Sequence, residues 1–376
     1  MKIAIVCPYD YYGHGGVQIH IHDCAYALRN MGHTVKIIAP AASKQSNDDT
    51  DLILLGSCRK IRFNQTEFDI SIIRSNEKKK LENILKNEKF DIMHFHTIWS
   101  PLLPLQVLCL SNCARVGTFH DTPPDNWVGK ITRGVFYLLS LVFLRYLDEV
   151  IAVSEAPLKH LARITGKHIH ILPPCTNLDI FSPNAKPLKS YSDNRVNILF
   201  LGRLDKRKGL LILLRAYQKL LGDNLKVRLL IAGQGMEFDN IRRLIQAENI
   251  PYVEMLGHIQ ESDKPACYAG CDIFCAPAPC GESFGIVLVE AMASGKPVIA
   301  AANAGYSKIL SEMSDFCLVQ PHNVDSLYIK LKNLIQDTTL QNKLGEWGIK
   351  EAKRYNSGAL IDKYLQIYQN ALLLKS

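Results

Sequence analysis

Short apolar runs recur along the chain, separated by stretches whose apolar residues fall at helical spacing. Ile3–Cys7, Thr34–Ala39, Phe90–Phe95, Val116–Phe119 and Glu149–Val153 read as buried strands in the first half. Val196–Leu201, Val227–Ala232, Val253–Leu256, Asp272–Ala276 and Val298–Ala301 read the same way in the second. Strands covered on both faces are apolar throughout rather than alternating, as these are. Helical patterns fill Gln18–Met31, Asn76–Asn87, Trp127–Tyr146, Leu210–Leu221 and Lys353–Leu374. Strand and helix in alternation predict an α/β protein with doubly wound parallel sheets. Leu172–Asn194, with Pro173, Pro174, Pro183 and Pro187, interrupts the pattern and reads as a linker. The expected division is 1–174, a linker 175–194, and a second domain 195–356.

A length of 376 residues suits two domains, and 47% hydrophobic with 21% charged residues excludes a disordered chain. The net charge of +8 favours phosphates or an anionic membrane surface without choosing between them. No apolar run approaches the ~20 residues of a membrane span. The longest, Gly134–Leu144, is short and lies between Arg133 and Arg145. The N-terminus reads as a strand and turn, not as a secretion signal. The 11 cysteines, odd in number and scattered through apolar segments, fit a reducing cytoplasm. Cys267, Cys271, Cys275 and Cys280 lack the hairpin spacing of zinc ligands, and no metal is expected there.

The richest chemistry lies in Pro279–Pro297. Ile286–Ala293 reads as a buried helix, stopped by Gly295 and Pro297. Ser283, Phe284, Gly285 and Ile286 stand at its start, where free N–H groups and the helix dipole favour an anion. Glu282 precedes that start, and Glu290 lies within the apolar helix. A buried carboxylate needs donors, which either a ligand's hydroxyls or a structural partner could supply. After the strand Val196–Leu201 comes Gly202-Arg-Leu-Asp-Lys-Arg-Lys-Gly209, a cationic strand-to-helix junction suited to a diphosphate. Near the N-terminus, Gly13-x-Gly15-Gly16 joins a strand to a helix but lacks the last glycine of the dinucleotide fingerprint. It serves either as a phosphate loop or as a tight turn. His94 and His96 share one face of a strand, as a metal pair or as structural residues. His120 follows a strand end, the place where ligands of such sheets bind. Asn76–Asn87 presents Lys78, Lys79 and Lys80 beside an apolar face, as helices on anionic lipid do.

Glu282-Ser-Phe-Gly-Ile-Val-Leu-Val-Glu290 resembles the signature of the retaining glycosyltransferases of family 4, which have the GT-B fold. The resemblance extends through Gly-Arg-Leu-Asp-x-x-Lys-Gly, Gly257-His258-Ile259, Gly15-Gly16-Val17-Gln18 and Thr118-Phe119-His120. It implies two Rossmann-like domains facing a central cleft, with a last helix, 357–376, crossing back to the first domain. Within the family, the chain is most similar to bacterial enzymes that move mannose from GDP-mannose to the inositol of phosphatidylinositol at the inner membrane face. By that resemblance Glu282 contacts the donor sugar and Glu290 the ribose. Ser283, Phe284, Gly285 and Ile286 line the diphosphate and sugar, Arg203 and Lys208 hold the diphosphate, and Gly257, His258 and Ile259 read the base. Gly16 serves both substrates, Tyr9, Asn64 and His120 lie on the acceptor side, and His120 and Glu282 position the sugar. Two segments depart from the pattern: Asp121-Thr-Pro-Pro-Asp125 replaces a hydroxyl-rich run, and Pro174-Cys-Thr-Asn-Leu-Asp179 replaces Asn-Gly-Val-Asp.

The resulting expectation is a cytoplasmic, peripheral membrane hexosyltransferase with no cofactor beyond its nucleotide sugar. It acts on a lipid or polyol, without nucleic acid or an obligatory protein partner. A transferase using UDP-sugars, a nucleotide-sugar epimerase and a silent lipid-binding scaffold are the alternatives.

Overall fold

The computed structural model describes residues 1–13, 15–41, 50–63, 66–99, 102–123, 127–164 and 166–375. The chain forms two compact units, one of Met1–Asn177 with Ser357–Ser376, the other Leu178–Asn356. The expected linker is therefore divided, Cys175–Asn177 packing with the first unit and Leu178–Asn194 with the second.

In the first unit the order is β1 (Lys2–Val6), α1 (Gly16–Asn30), β2 (Thr34–Ala41), β3 (Leu52–Phe63), β4 (Thr66–Ile72) and α2 (Ser75–Glu88). It continues with β5 (Ile92–His96), α3 (Leu103–Leu110), β6 (Ala114–Phe119), α4 (Trp127–Phe143), β7 (Glu149–Ala152), α5 (Glu155–Leu158) and β8 (Ile169–Ile171). The sheet runs β4-β3-β2-β1-β5-β6-β7-β8, parallel except for the β3–β4 hairpin at its edge. That hairpin was not foreseen: β3 opens on the apolar run Leu52–Leu55, but its second half and β4 carry too many polar residues to read as buried runs. Alternate β1 residues serve opposite faces, as the pleat requires. Ile3 and Ile5 pack with Ile21 and Leu28 of α1, whereas Ala4 and Val6 join the cluster containing Leu81 of α2 and Val107 of α3.

Helix α4 corrects one expectation. Lys130 and Arg133 divide its apolar run in the sequence, but the helical stretch carries through them. Trp127–Tyr146 thus has the length and composition of a membrane-crossing helix. One face docks on the unit: Phe136 stacks on Trp99 with ring centres 4.7 Å apart, and Ser140 Oγ accepts from Ala162 N at 2.8 Å. The opposite stripe, Trp127, Ile131, Val135, Leu138 and Val142, is exposed.

The second unit contains β9 (Val196–Leu201), α6 (Leu210–Gly222), β10 (Val227–Ala232), α7 (Phe238–Ala247), β11 (Val253–Gly257), α8 (Lys264–Ala269), β12 (Ile273–Ala276) and α9 (Ile286–Ala293). Then follow β13 (Val298–Ala301), α10 (Tyr306–Ile309), α11 (Ser314–Cys317), β14 (Leu318–Val319), α12 (Val324–Gln336) and α13 (Thr338–Ala352). Its sheet is wholly parallel, in the order β11-β10-β9-β12-β13-β14. The final helix, α14 (Ser357–Lys375), belongs to the first unit, and its helix proper starts four residues later than its sequence pattern suggests. A short 3-10 turn, Lys353–Tyr355, precedes it.

Candidate functional site

In the second unit the strand order reverses direction between β9 and β12. Ligands of open α/β sheets bind beyond the carboxyl ends of the strands at such a point. The loops after β9 and β12 leave from it, and Gly209 lets them meet. Its φ is +73°, and a Cβ there would lie 2.3 Å from the Pro277 carbonyl oxygen. No other residue type satisfies both conditions.

The cationic turn is organised by Asp205, which is 4% exposed. One carboxylate oxygen accepts from the Lys208 amide at 3.2 Å, capping the turn. The other receives Arg203 Nε at 3.2 Å and Arg207 Nη2 at 3.5 Å. Asp205 thus draws two guanidinium groups together at the strand end. Lys208 reaches across to Glu282, Nζ to Oε1 at 2.7 Å. Tyr306 also bonds Glu282, and burial, then the Glu282 charge, pushes its hydroxyl pKa well up. The close approach of Tyr306 depends on Gly285, whose φ is +120° and whose Cβ would lie 2.7 Å from Tyr306 Cδ1. Arg207 Nε is buried without a hydrogen-bond partner among the described residues. The arrangement offers three cations and a carboxylate around one strand end, which suits a diphosphate and an adjoining polyhydroxylated group.

Glu290 occupies a second position on α9. It is 1% exposed and accepts from Tyr268 Oη at 2.7 Å and Lys264 Nζ at 3.2 Å. The donors that its burial demands therefore come from within the protein. Burial alone would lower the Lys264 pKa, but Glu290 and Glu261 outweigh it and raise it, so the ammonium persists. Gly257 ends β11 and His258 and Ile259 follow it, on the same edge of the sheet, and the Gly257 carbonyl accepts from Gly233 N at 2.6 Å. Ser283, Phe284 and Ile286 flank Gly285, with Phe284 and Ile286 buried. Arg207 is one of the cations that the junction sequence already offered, whereas the roles of Asp205, Lys264, Tyr268 and Tyr306 were not foreseen. Only Asp205 carried a local sign there, as a cap three residues before Lys208.

In the first unit Tyr9 follows β1, Gly16 opens α1, and His120 follows β6, all at the carboxyl edge of the sheet. Asn64 lies outside the described residues. His120 is held by His96, Nε2 to Nδ1 at 2.9 Å. Burial pushes its pKa down to about 3, so the ring is neutral near pH 7 and too weak a base to take a proton readily. Beside it, Asp121 accepts from Trp99 Nε1 at 2.7 Å, and burial raises its pKa to about 6. His94 and His96 do share a face, but their partners differ. His94 is fixed between Thr118 Oγ1 at 2.7 Å and Tyr368 Oη at 2.8 Å.

Two doubly wound units, the second presenting a cationic turn beside a carboxylate at its switch point, define the class as an α/β protein of paired Rossmann-like units. Residues 14–180 match the family described as Glycosyltransferase Family 4, and residues 184–351 match Glycosyl transferases group 1. The chain belongs to the glycosyltransferases and has the GT-B fold. It is 29% identical over 371 residues to phosphatidyl-myo-inositol mannosyltransferase of Mycolicibacterium smegmatis, covering 98% of this chain and 94% of that one. Sucrose-phosphate synthase from Thermosynechococcus elongatus shares the fold with a TM-score of 0.79 at 21% identity, over 100% of both chains. HepE from Anabaena, solved with UDP and glucose, does so with a TM-score of 0.74 at 16% identity, over 97% of this chain and 98% of that one.

Proposed function

We propose that the protein is a retaining hexosyltransferase that moves mannose from GDP-mannose to a lipid-linked acceptor such as phosphatidylinositol. The observation that carries this reading is the cluster of Arg203, Arg207 and Lys208, joined to Glu282, in a chain similar along its length to phosphatidyl-myo-inositol mannosyltransferase. As the bond from the sugar to the diphosphate breaks, negative charge develops on the leaving phosphate, and the cations are suited to stabilise it. The acceptor hydroxyl adds to the same face of the sugar and loses its proton to a leaving phosphate oxygen, giving the mannoside and GDP. Glu282 orients the sugar, Glu290 and Lys264 meet the ribose, and Gly257, His258 and Ile259 read the base. Tyr9, Gly16 and His120 serve the acceptor side, with His120 as a neutral hydrogen-bonding group.

The protein works at the inner face of the membrane as a peripheral protein. Lys78, Lys79 and Lys80 are exposed on α2, and the exposed apolar stripe of α4 is of the kind that marks a lipid or partner surface. The decisive experiment incubates purified protein with radiolabelled GDP- and UDP-sugars and a phosphatidylinositol-containing lipid extract. GDP-mannose should give labelled lipid with retained anomeric configuration. Label transferred only from a UDP-sugar would overturn the donor assignment. Release of altered sugar without an acceptor would make the protein an epimerase.

A further inference from the structure

We propose that His20, His96 and His120 form a site for a zinc-class transition-metal dication, each giving one ring nitrogen. The three offer ligand atoms that all lie within 4.8 Å of one another, and all belong to the first unit. A tetrahedral zinc with bonds of about 2.0–2.1 Å needs its nitrogens about 3.3 Å apart, a contraction from the present spacing. The hydrogen bonds fix where one lone pair lies. Tyr364 Oη is 2.9 Å from the Pro173 carbonyl, which can only accept, so the single hydroxyl hydrogen goes there. The same oxygen is 3.1 Å from His20 Nε2 and must therefore accept from it. His20 carries its hydrogen on Nε2, leaving a bare lone pair on Nδ1, which is buried with no hydrogen-bond partner among the described residues. His96 Nε2 is buried and unpartnered in the same sense. His20, held by the Tyr364 oxygen on one nitrogen and bare on the other, is set as metal-bound histidines are, and His96 keeps its Nε2 bare while its Nδ1 meets His120 Nε2 at 2.9 Å. Borderline-soft dications prefer such imidazole sets, and three ligands leave a fourth position open.

This site goes beyond the transferase reading, and its test reads metal binding by the protein alone, so the two can fail separately. Chelator-stripped full-length protein is dialysed against Zn2+ and bound metal is counted, with Co2+ absorption as a second readout. A single equivalent should bind, and Zn2+ should abolish the Co2+ visible bands. His20→Ala and His96→Ala should each weaken binding by on the order of 100-fold. His20→Asn and His96→Gln, which keep a polar group in place, should do the same while holding the melting temperature. His168→Ala should retain the equivalent, because His168 and His170 form a separate ring pair. No bound equivalent, binding unmoved by substitutions at His20 and His96, or its loss in His168→Ala would each overturn the proposal.

Discussion

Glu282 and Glu290 stand on either side of the apolar stretch 283–289, and their partners give them different sensitivities. Glu282 pairs with Lys208, whose side chain is 21% exposed, so losing the charge leaves a cation that water can still reach. Glu282→Gln should therefore melt near the wild type and chiefly lower kcat, because the group is placed to act on the transferred sugar. Glu290→Gln should raise the donor KM and also lower the melting temperature. Breaking a buried pair costs roughly 3–5 kcal/mol, toward the low end here because Glu261 still holds Lys264 at 2.7 Å. Calorimetry with donor titration separates the two, and equal effects in both variants would sink the assignment. Lys208→Ala should cost about 2–4 kcal/mol in kcat/KM, read against GDP affinity by isothermal titration, where wild-type binding would place the phosphate elsewhere. Glu282, Arg203 and Lys208 stand out in the sequence because each is a charged group near an apolar run, while the roles expected of them come from the family resemblance. Lys264, Tyr268 and Tyr306 were not, since each earns its place through a tertiary contact that no local spacing encodes.

The ten strands read from continuous apolar runs were legible to within two residues, because such runs leave little choice of boundary, whereas the short parallel strands β8 and β14 were not. Beyond Leu55 the polar β3–β4 hairpin gave no such signal. Helix α4 was legible as a helix, but which residues face the core was not, since apolar residues lie on both its buried and its exposed faces. His160 now supplies a test of that docking. It is 1% exposed, lies beside Phe136 of α4 with ring centres 5.5 Å apart, and both its ring nitrogens lack hydrogen-bond partners among the described residues. Burial, then Arg133, pushes its pKa down to about 4 from 6.5. Above 6.5 both folded and unfolded states are neutral and the stability is complete. As pH falls the unfolded state takes up the proton first, and the loss grows to about 3 kcal/mol near pH 4. Denaturation of the wild type and His160→Phe across pH 7.5–4.5 should show a shallower loss in the variant. Parallel curves would mean that His160 is not buried as described. The other face of α4 makes a separate prediction. Binding to anionic vesicles should fall with salt and with Lys→Gln at Lys78, Lys79 and Lys80, each worth about 1 kcal/mol. Asp at Leu138 and Val142 should weaken binding even at low salt, and vesicle sedimentation unaffected by either set would leave the stripe without lipid.

At the scale of the molecule the chain is not two beads in sequence, because α14 returns to complete the first unit. Its entry is stitched by Ser357 N donating to the Thr176 carbonyl at 2.8 Å. Leu360, Ile361, Tyr364, Ile367, Tyr368 and Ala371 are then all buried, none more than 5% exposed, in the cluster that holds β1 and α1. Tyr364 and Tyr368 reach the Pro173 carbonyl and His94, tying this helix to the sheet edge that carries His96 and His120. The helix itself was legible from its apolar spacing, but which strands it covers was not, since that depends on a segment that closes only after 357 is in place. Burying five large side chains at about 1.5–3 kcal/mol each amounts to on the order of 10 kcal/mol, comparable to the whole stability of a typical domain. Removal of residues 357–376 should therefore unfold the first unit, whereas the second, Leu178–Asn356, keeps all its own strands and helices. Scanning calorimetry of the truncated protein should retain one transition, and limited proteolysis should leave a resistant fragment starting near residue 178. A truncated chain that keeps its first-unit transition would show that α14 only decorates the sheet.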